Sequence, residues 1–191
     1  MASHPLIDIY CHIYPEAFFQ EMTKVSPQTE NLGKRLRTIT KLFDLSERFR
    51  EMDTFGDYRQ IVSLPNPPIE DIATGATGAH LARVGNDAMA ELCAKHPDRF
   101  PGFVAAVSAT DIDGAVAEAS RAITELGACG IQMFTPLAGQ PLDGLAFAPL
   151  FAMLAAMRVR LDRDVKPYLV LPRITSNAVA RESGSLPWCA C

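Results

Sequence analysis

Asp8, Tyr10 and His12 follow one another at intervals of two, at the end of an apolar, β-branched run (Leu6-Ile7-Asp8-Ile9) that Pro15 closes. In an extended chain residues i and i+2 share a face, so the spacing predicts a carboxylate, a phenol and an imidazole side by side at a strand exit. Strand exits are where α/β proteins place their chemistry. The imidazole is the group suited to metal ligation or proton transfer near neutral pH. A phenol, with an ordinary pKa of about 10, is a poor source of phenolate. Cys11 falls on the opposite face, which argues against a Cys-His dyad. The bland reading of His12 is a strand-end histidine bonded to a neighbouring group. His4, His80 and His96 have no partner at ligand spacing. A structural zinc site takes four protein ligands and a catalytic one three, so His12 alone does not make one.

The rest of the chain must position these groups. Its 191 residues are enough for one substantial core, and 48% hydrophobic with 21% charged residues is ordinary globular composition. A net charge of −4 without basic runs gives no footprint for nucleic acid. No apolar span has membrane length, and the start of the chain lacks signal-peptide features. Five scattered cysteines, at 11, 93, 129, 189 and 191, lead us to expect free thiols and a cytoplasmic protein.

Glu16–Met22 reads as a short helix with Phe18, Phe19 and Met22 inward, and residues 26–40 as an inserted loop. Asp44 stands three residues ahead of Glu47, as in a capping box, and predicts a helix to about Thr54 that stops at Gly56. Strands follow at 60–64, 102–107 and 130–134, the first strand being 6–9. Between them, helices are expected over the later part of 69–96, from Asp111 or Asp113 to Gly127, and over 145–157. Gly75 and Gly78 make the start of the 69–96 segment look like loop. Four alternations of strand and helix predict a parallel α/β fold, as a barrel or a doubly wound sheet. The lack of Gly-x-Gly-x-x-Gly after the first strand disfavours a dinucleotide site.

The opening stretch resembles the Asp-x-His-x-His signature of the amidohydrolase superfamily, with Tyr10 in place of its first histidine. Further segments resemble the amidohydrolase-related branch that contains aminocarboxymuconate-semialdehyde decarboxylase. They are Arg48–Asp53 (Arg-x-x-Glu-Met-Asp), Gln60–Pro65, Gly85-Asn86-Asp87, Ala94–Phe100, Gly127–Met133, and Pro141-Leu142-Asp143 through Pro149-Leu150. The resemblance covers residues 6–157. It implies a TIM barrel, (β/α)8, of which about the first four βα units are present, and a divalent metal, zinc or manganese. It also implies decarboxylation or hydrolysis of small carboxylated, often aromatic, substrates. His12 would be a metal ligand and Arg48 would face a substrate carboxylate. The family's other ligands, a third histidine after strand 5 and an aspartate after strand 8, have no counterpart, since no histidine follows His96.

Residues 1–157 therefore read as the first half of such a barrel and 158–191 as a divergent, poorly ordered tail, with the reading frame lost near Arg158. Impaired activity is the corresponding expectation. The alternative is a catalytically inactive fragment or interaction module without metal, for which an open half-barrel would have to pair with itself as a homo-oligomer. Asp8, Tyr10, His12, the Pro65–Pro68 turn and Gln132 are expected to converge at the C-terminal ends of the strands.

Overall fold

The computed structural model describes residues 5–26, 34–134, 140–141, 143–160 and 168–170, the backbone alone for 158–160 and 168–170. Five parallel strands form one sheet in sequence order: β1 (Leu6–His12), β2 (Tyr58–Ser63), β3 (Gly102–Ala106), β4 (Gly130–Gln132) and β5 (Tyr168–Val170). Helices α1 (Glu16–Val25), α2 (Leu45–Met52), α3 (Ile69–Ile72), α4 (Gly75–Lys95), α5 (Ile112–Thr124) and α6 (Ala148–Arg160) run between them. The strand order never reverses, as it would at the switch point of a doubly wound sheet. The sheet curls instead into a half-barrel of the TIM type.

Local chemistry sets most boundaries. Asp44 caps α2, accepting from the Ser46 and Glu47 N–H groups at 2.8 and 3.2 Å, and Asp111 caps α5 through Gly114 N–H at 3.1 Å. Gly56 and Gly127 take positive φ of +77° and +74°, which glycine adopts at little cost and which turn the chain out of its helix.

The helix-facing side of the sheet carries the core. Phe18 and Met22 of α1, Leu81 and Met89 of α4, and Ala119 and Ile123 of α5 are buried together with Val62, Leu64, Phe103 and Ala105. Asn86, fully buried on α4, donates to Ala106 O at 2.9 Å and accepts from Ala106 N–H at 2.8 Å, and so fastens α4 to β3. Its amide also donates to Glu118 at 2.9 Å, and Arg121 holds the same carboxylate with two bonds.

Three expectations change. The helix α4 starts at Gly75 rather than beyond Gly78. A Cβ at Gly78 would lie 2.4 Å from Ser108 Oγ and 2.8 Å from Ala73 O, so this glycine serves close packing and not a loop. Of the supposed 26–40 loop, residues 27–33 lie outside the described residues. The remainder includes a helical turn at 34–36 and a 3₁₀ turn at Thr40–Leu42, with the Arg37 guanidinium 4.5 and 4.9 Å from the Phe19 and Phe43 rings. Finally, β5 lies in the 158–191 stretch read as a divergent, poorly ordered tail, yet Tyr168, Leu169 and Val170 pair with Gly130, Ile131 and Gln132. Residues 161–167 and 171–191, including Cys189 and Cys191, are outside the described residues.

Candidate active site at the strand C-termini

β1 does not keep period two. Asp8 pairs with Gln60 and Cys11 with Val62, so three residues of β1 span two of β2, and a β-bulge lies between Asp8 and Cys11. The Asp8 carboxylate ties this bulge. It accepts from Tyr10 N–H at 2.9 Å, from the Cys11 thiol at 2.9 Å and from the Tyr58 hydroxyl at 2.7 Å. Burial opposes its ionisation, but the bonds from Cys11, Tyr58 and Tyr10 outweigh that and hold its pKa below the ordinary carboxylate value. Asp8 and Cys11 thereby share the side of Gln60 and Val62, while His12 sits with Ser63 on the barrel's inner side. The expectation that Asp8 shares a face with His12 is corrected by this bulge.

His12 is fixed by Ser63. The Ser63 hydroxyl donates to Cys11 O at 3.2 Å, so its oxygen is left to accept from His12 Nδ1–H at 2.9 Å. That assigns the proton to Nδ1 and leaves the Nε2 lone pair outward. Burial, then the nearby Arg48 cation, lower the imidazole pKa, against the opposing pull of Asp8. His12 is therefore a neutral imidazole with a free acceptor nitrogen, the form a metal or a proton requires. Tyr10 lies beside it, 47% exposed, its ring edge-on to the His12 ring at 4.9 Å between centroids.

Arg48 occupies a different place from the one the resemblance implies. It is 6% exposed, and its guanidinium donates to Lys41 O at 3.0 Å, Gln60 Oε1 at 2.7 Å and His12 O. This cation braces α2 against β1 and β2, and the geometry gives no support to Arg48 as an open carboxylate anchor. The expected convergence holds for Gln132 and the proline turn: a cleft at the strand C-termini is lined by Leu64, Pro65, Pro67, Glu70, Gln132 and Phe134, among others. Burial raises the Glu70 carboxyl pKa, and Glu70 Oε1 accepts from Ala109 N–H at 2.6 Å. Ser63, Tyr58 and Glu70 escaped the sequence reading. None of the three stood out by type or spacing, because each acts on a partner distant in sequence.

A divalent metal does not find a complete site here. Among the described residues no three His, Cys, Asp or Glu side chains gather closely enough to hold an ion. His12 offers one nitrogen, Tyr10 fills the neighbouring position, and Asp8 is engaged behind the strand.

A parallel half-barrel that brings His12, Gln132 and the proline turn to the strand C-termini has the architecture of a TIM-type α/β barrel. The model of the Amidohydrolase family matches residues 7–164, and the chain belongs to that family. It is 34% identical over 152 residues to gamma-resorcylate decarboxylase of Rhodococcus jostii (strain RHA1), covering 78% of this chain and 46% of that protein. It also superposes on 5-carboxyvanillate decarboxylase from Sphingomonas paucimobilis with a TM-score of 0.70 and 25% identity, covering 81% of this chain and 50% of the other. A dihydroxybenzoic acid decarboxylase from Polaromonas sp. JS666, solved with bound manganese and 2-nitroresorcinol, gives 0.65 and 26%, covering 82% and 48%. The chain spans about half the length of the relatives it matches.

Proposed function

We propose that this chain forms the first half of a metal-dependent barrel that decarboxylates small aromatic carboxylates, with His12 as its contribution to the metal site. The observation that carries the reading is the His12–Ser63 pair, which presents a neutral imidazole with its Nε2 lone pair free at a strand exit. The similarity to resorcylate, carboxyvanillate and dihydroxybenzoate decarboxylases supports the substrate class. Such a metal, zinc or manganese, would supply Lewis-acid polarisation of the substrate. The rest of the ligand set has no counterpart among the described residues, so no step is assigned through it. Decarboxylation takes precedence over hydrolysis in this reading because all three similar proteins named above are decarboxylases. The cysteines Cys11, Cys93 and Cys129 form no disulfide with one another, which supports a reducing, cytoplasmic setting for this reading.

A second reading, an interaction module without metal, is favoured by Tyr10 at the position of a ligand histidine. Metal analysis of the purified chain, with His12→Ala and Tyr10→His, separates the two. The enzyme reading expects bound zinc or manganese that falls with His12→Ala and tightens with Tyr10→His, because two histidines then flank one position. Carbon dioxide release from 2,6-dihydroxybenzoate should be weak in this reading, since the described residues do not complete the ligand set. Metal content insensitive to both substitutions, with no turnover, would establish the module instead.

A further inference from the structure

Gln132 is the last residue of β4 and only 3% exposed, yet among the described residues neither its amide nitrogen nor its amide oxygen has a hydrogen-bond partner. A buried amide left unpaired on both atoms is rare, because the water it gave up is not replaced. Gln132 lines the cleft described above, where Phe18, Pro65 and Phe134 supply apolar walls. No lysine, arginine or histidine is among the lining residues, and the charged one is Glu70. A carboxylate set against Gln132 would thus meet an acidic neighbour and no counter-charge. The enclosed space admits a group about the size of one water molecule. A hydroxyl is the smallest group that both accepts and donates through a single atom, and so satisfies a carboxamide's two ends within that space.

Resting on the decarboxylase reading, we propose that Gln132 is a specificity-determining residue that receives a phenolic hydroxyl of the aromatic substrate, donating through Nε2 and accepting through Oε1. The ring is then held at the apolar mouth, and the carboxyl group points away from Glu70. An analogue without the hydroxyl leaves the amide unpaired and is rejected on that account.

The test is a titration of the isotopically labelled 191-residue chain with phenol, benzoate and toluene, following the Gln132 side-chain amide by NMR. Its resonances are assigned by their loss in Gln132→Leu. Phenol is expected to move them saturably while toluene and benzoate do not. Gln132→Leu should weaken phenol binding roughly tenfold or more without weakening that of toluene. The near-isosteric Gln132→Met serves if the leucine variant fails to fold, which the backbone spectrum reports. An amide unmoved by phenol, equal binding of phenol and toluene, preference for benzoate, or no saturable binding overturns the proposal. Neither metal nor turnover enters this measurement. Its failure therefore leaves the decarboxylase reading to its own metal test, and failure there leaves the phenol result standing.

Discussion

Asp8 and His12 titrate in opposite chemical senses, yet both weaken the fold in acid, in separate pH windows. The folded pKa of His12 lies below the unfolded value of 6.5, so the unfolded chain binds a proton first. Its contribution is complete above 6.5 and declines as pH falls below it. The folded pKa of Asp8 lies below 3.8, so its contribution is complete above 3.8 and vanishes as pH falls through the lower folded value. Urea midpoints measured against pH should show both declines. His12→Gln should flatten the first, and Asp8→Asn the second, with about 1 kcal/mol lost near neutral pH for a partly exposed carboxylate. An Asp8→Asn variant that follows the wild-type curve in acid would remove Asp8 from the bulge argument. That bulge is also where the sequence stops being legible. The residue types at 8, 10 and 12 announce a site, and period two predicts their faces. One extra residue in the pairing, fixed by the Tyr58 hydroxyl from fifty positions away, reverses Asp8. Local spacing carries no record of such a partner. Ser63, which sets the His12 tautomer, is invisible for the same reason.

At the scale of elements the sequence was far more readable, because caps and stops act within a few residues. Asp44, Asp111, Gly56 and Gly127 each do what their positions predict. Gly78 misleads, since its reason is the close approach of Ser108, beyond β3, and of Ala73 O, at the end of α3. Arg48 misleads in the same way: its motif suggests an open site, while the fold uses it to join α2, β1 and β2. Arg48→Met should therefore lower stability by about 3 kcal/mol, because the Gln60 oxygen and two carbonyls lose a charged donor in a buried setting. Arg48→Lys should restore only part of this, since an ammonium cannot span three acceptors set in a fork. Denaturant unfolding of the three proteins decides the matter. Wild-type stability in Arg48→Met would mean that the guanidinium is not structural and would reopen it as a substrate contact.

For the whole molecule the governing fact is that the described strands do not close the barrel. β1 pairs with β2 on one side only among the described residues, and it leaves Leu6, Ile7 and Ile9 at 60%, 51% and 59% exposure. Both the backbone groups of that edge and its apolar side chains are then available to another strand. Parallel pairing is the geometry the sheet already uses throughout, so a second copy is the partner always at hand for an isolated chain. The 191-residue protein should associate in a concentration-dependent way, seen as a rising mass by sedimentation or light scattering. Ile7→Glu with Ile9→Lys should shift it toward monomer. Glutamate is chosen at 7 because Arg59 lies opposite, so the substitution adds a favourable cross-strand pair and spares the fold. Leu145→Lys serves as the control, since Leu145 is 90% exposed but lies far from the edge in sequence, at the start of the turn before α6. Edge pairing requires that the β1 double variant dissociates the protein and that Leu145→Lys does not. Equal effects from both would reduce the association to general stickiness, and a wild-type monomer at all concentrations would show that β1 is shielded in solution.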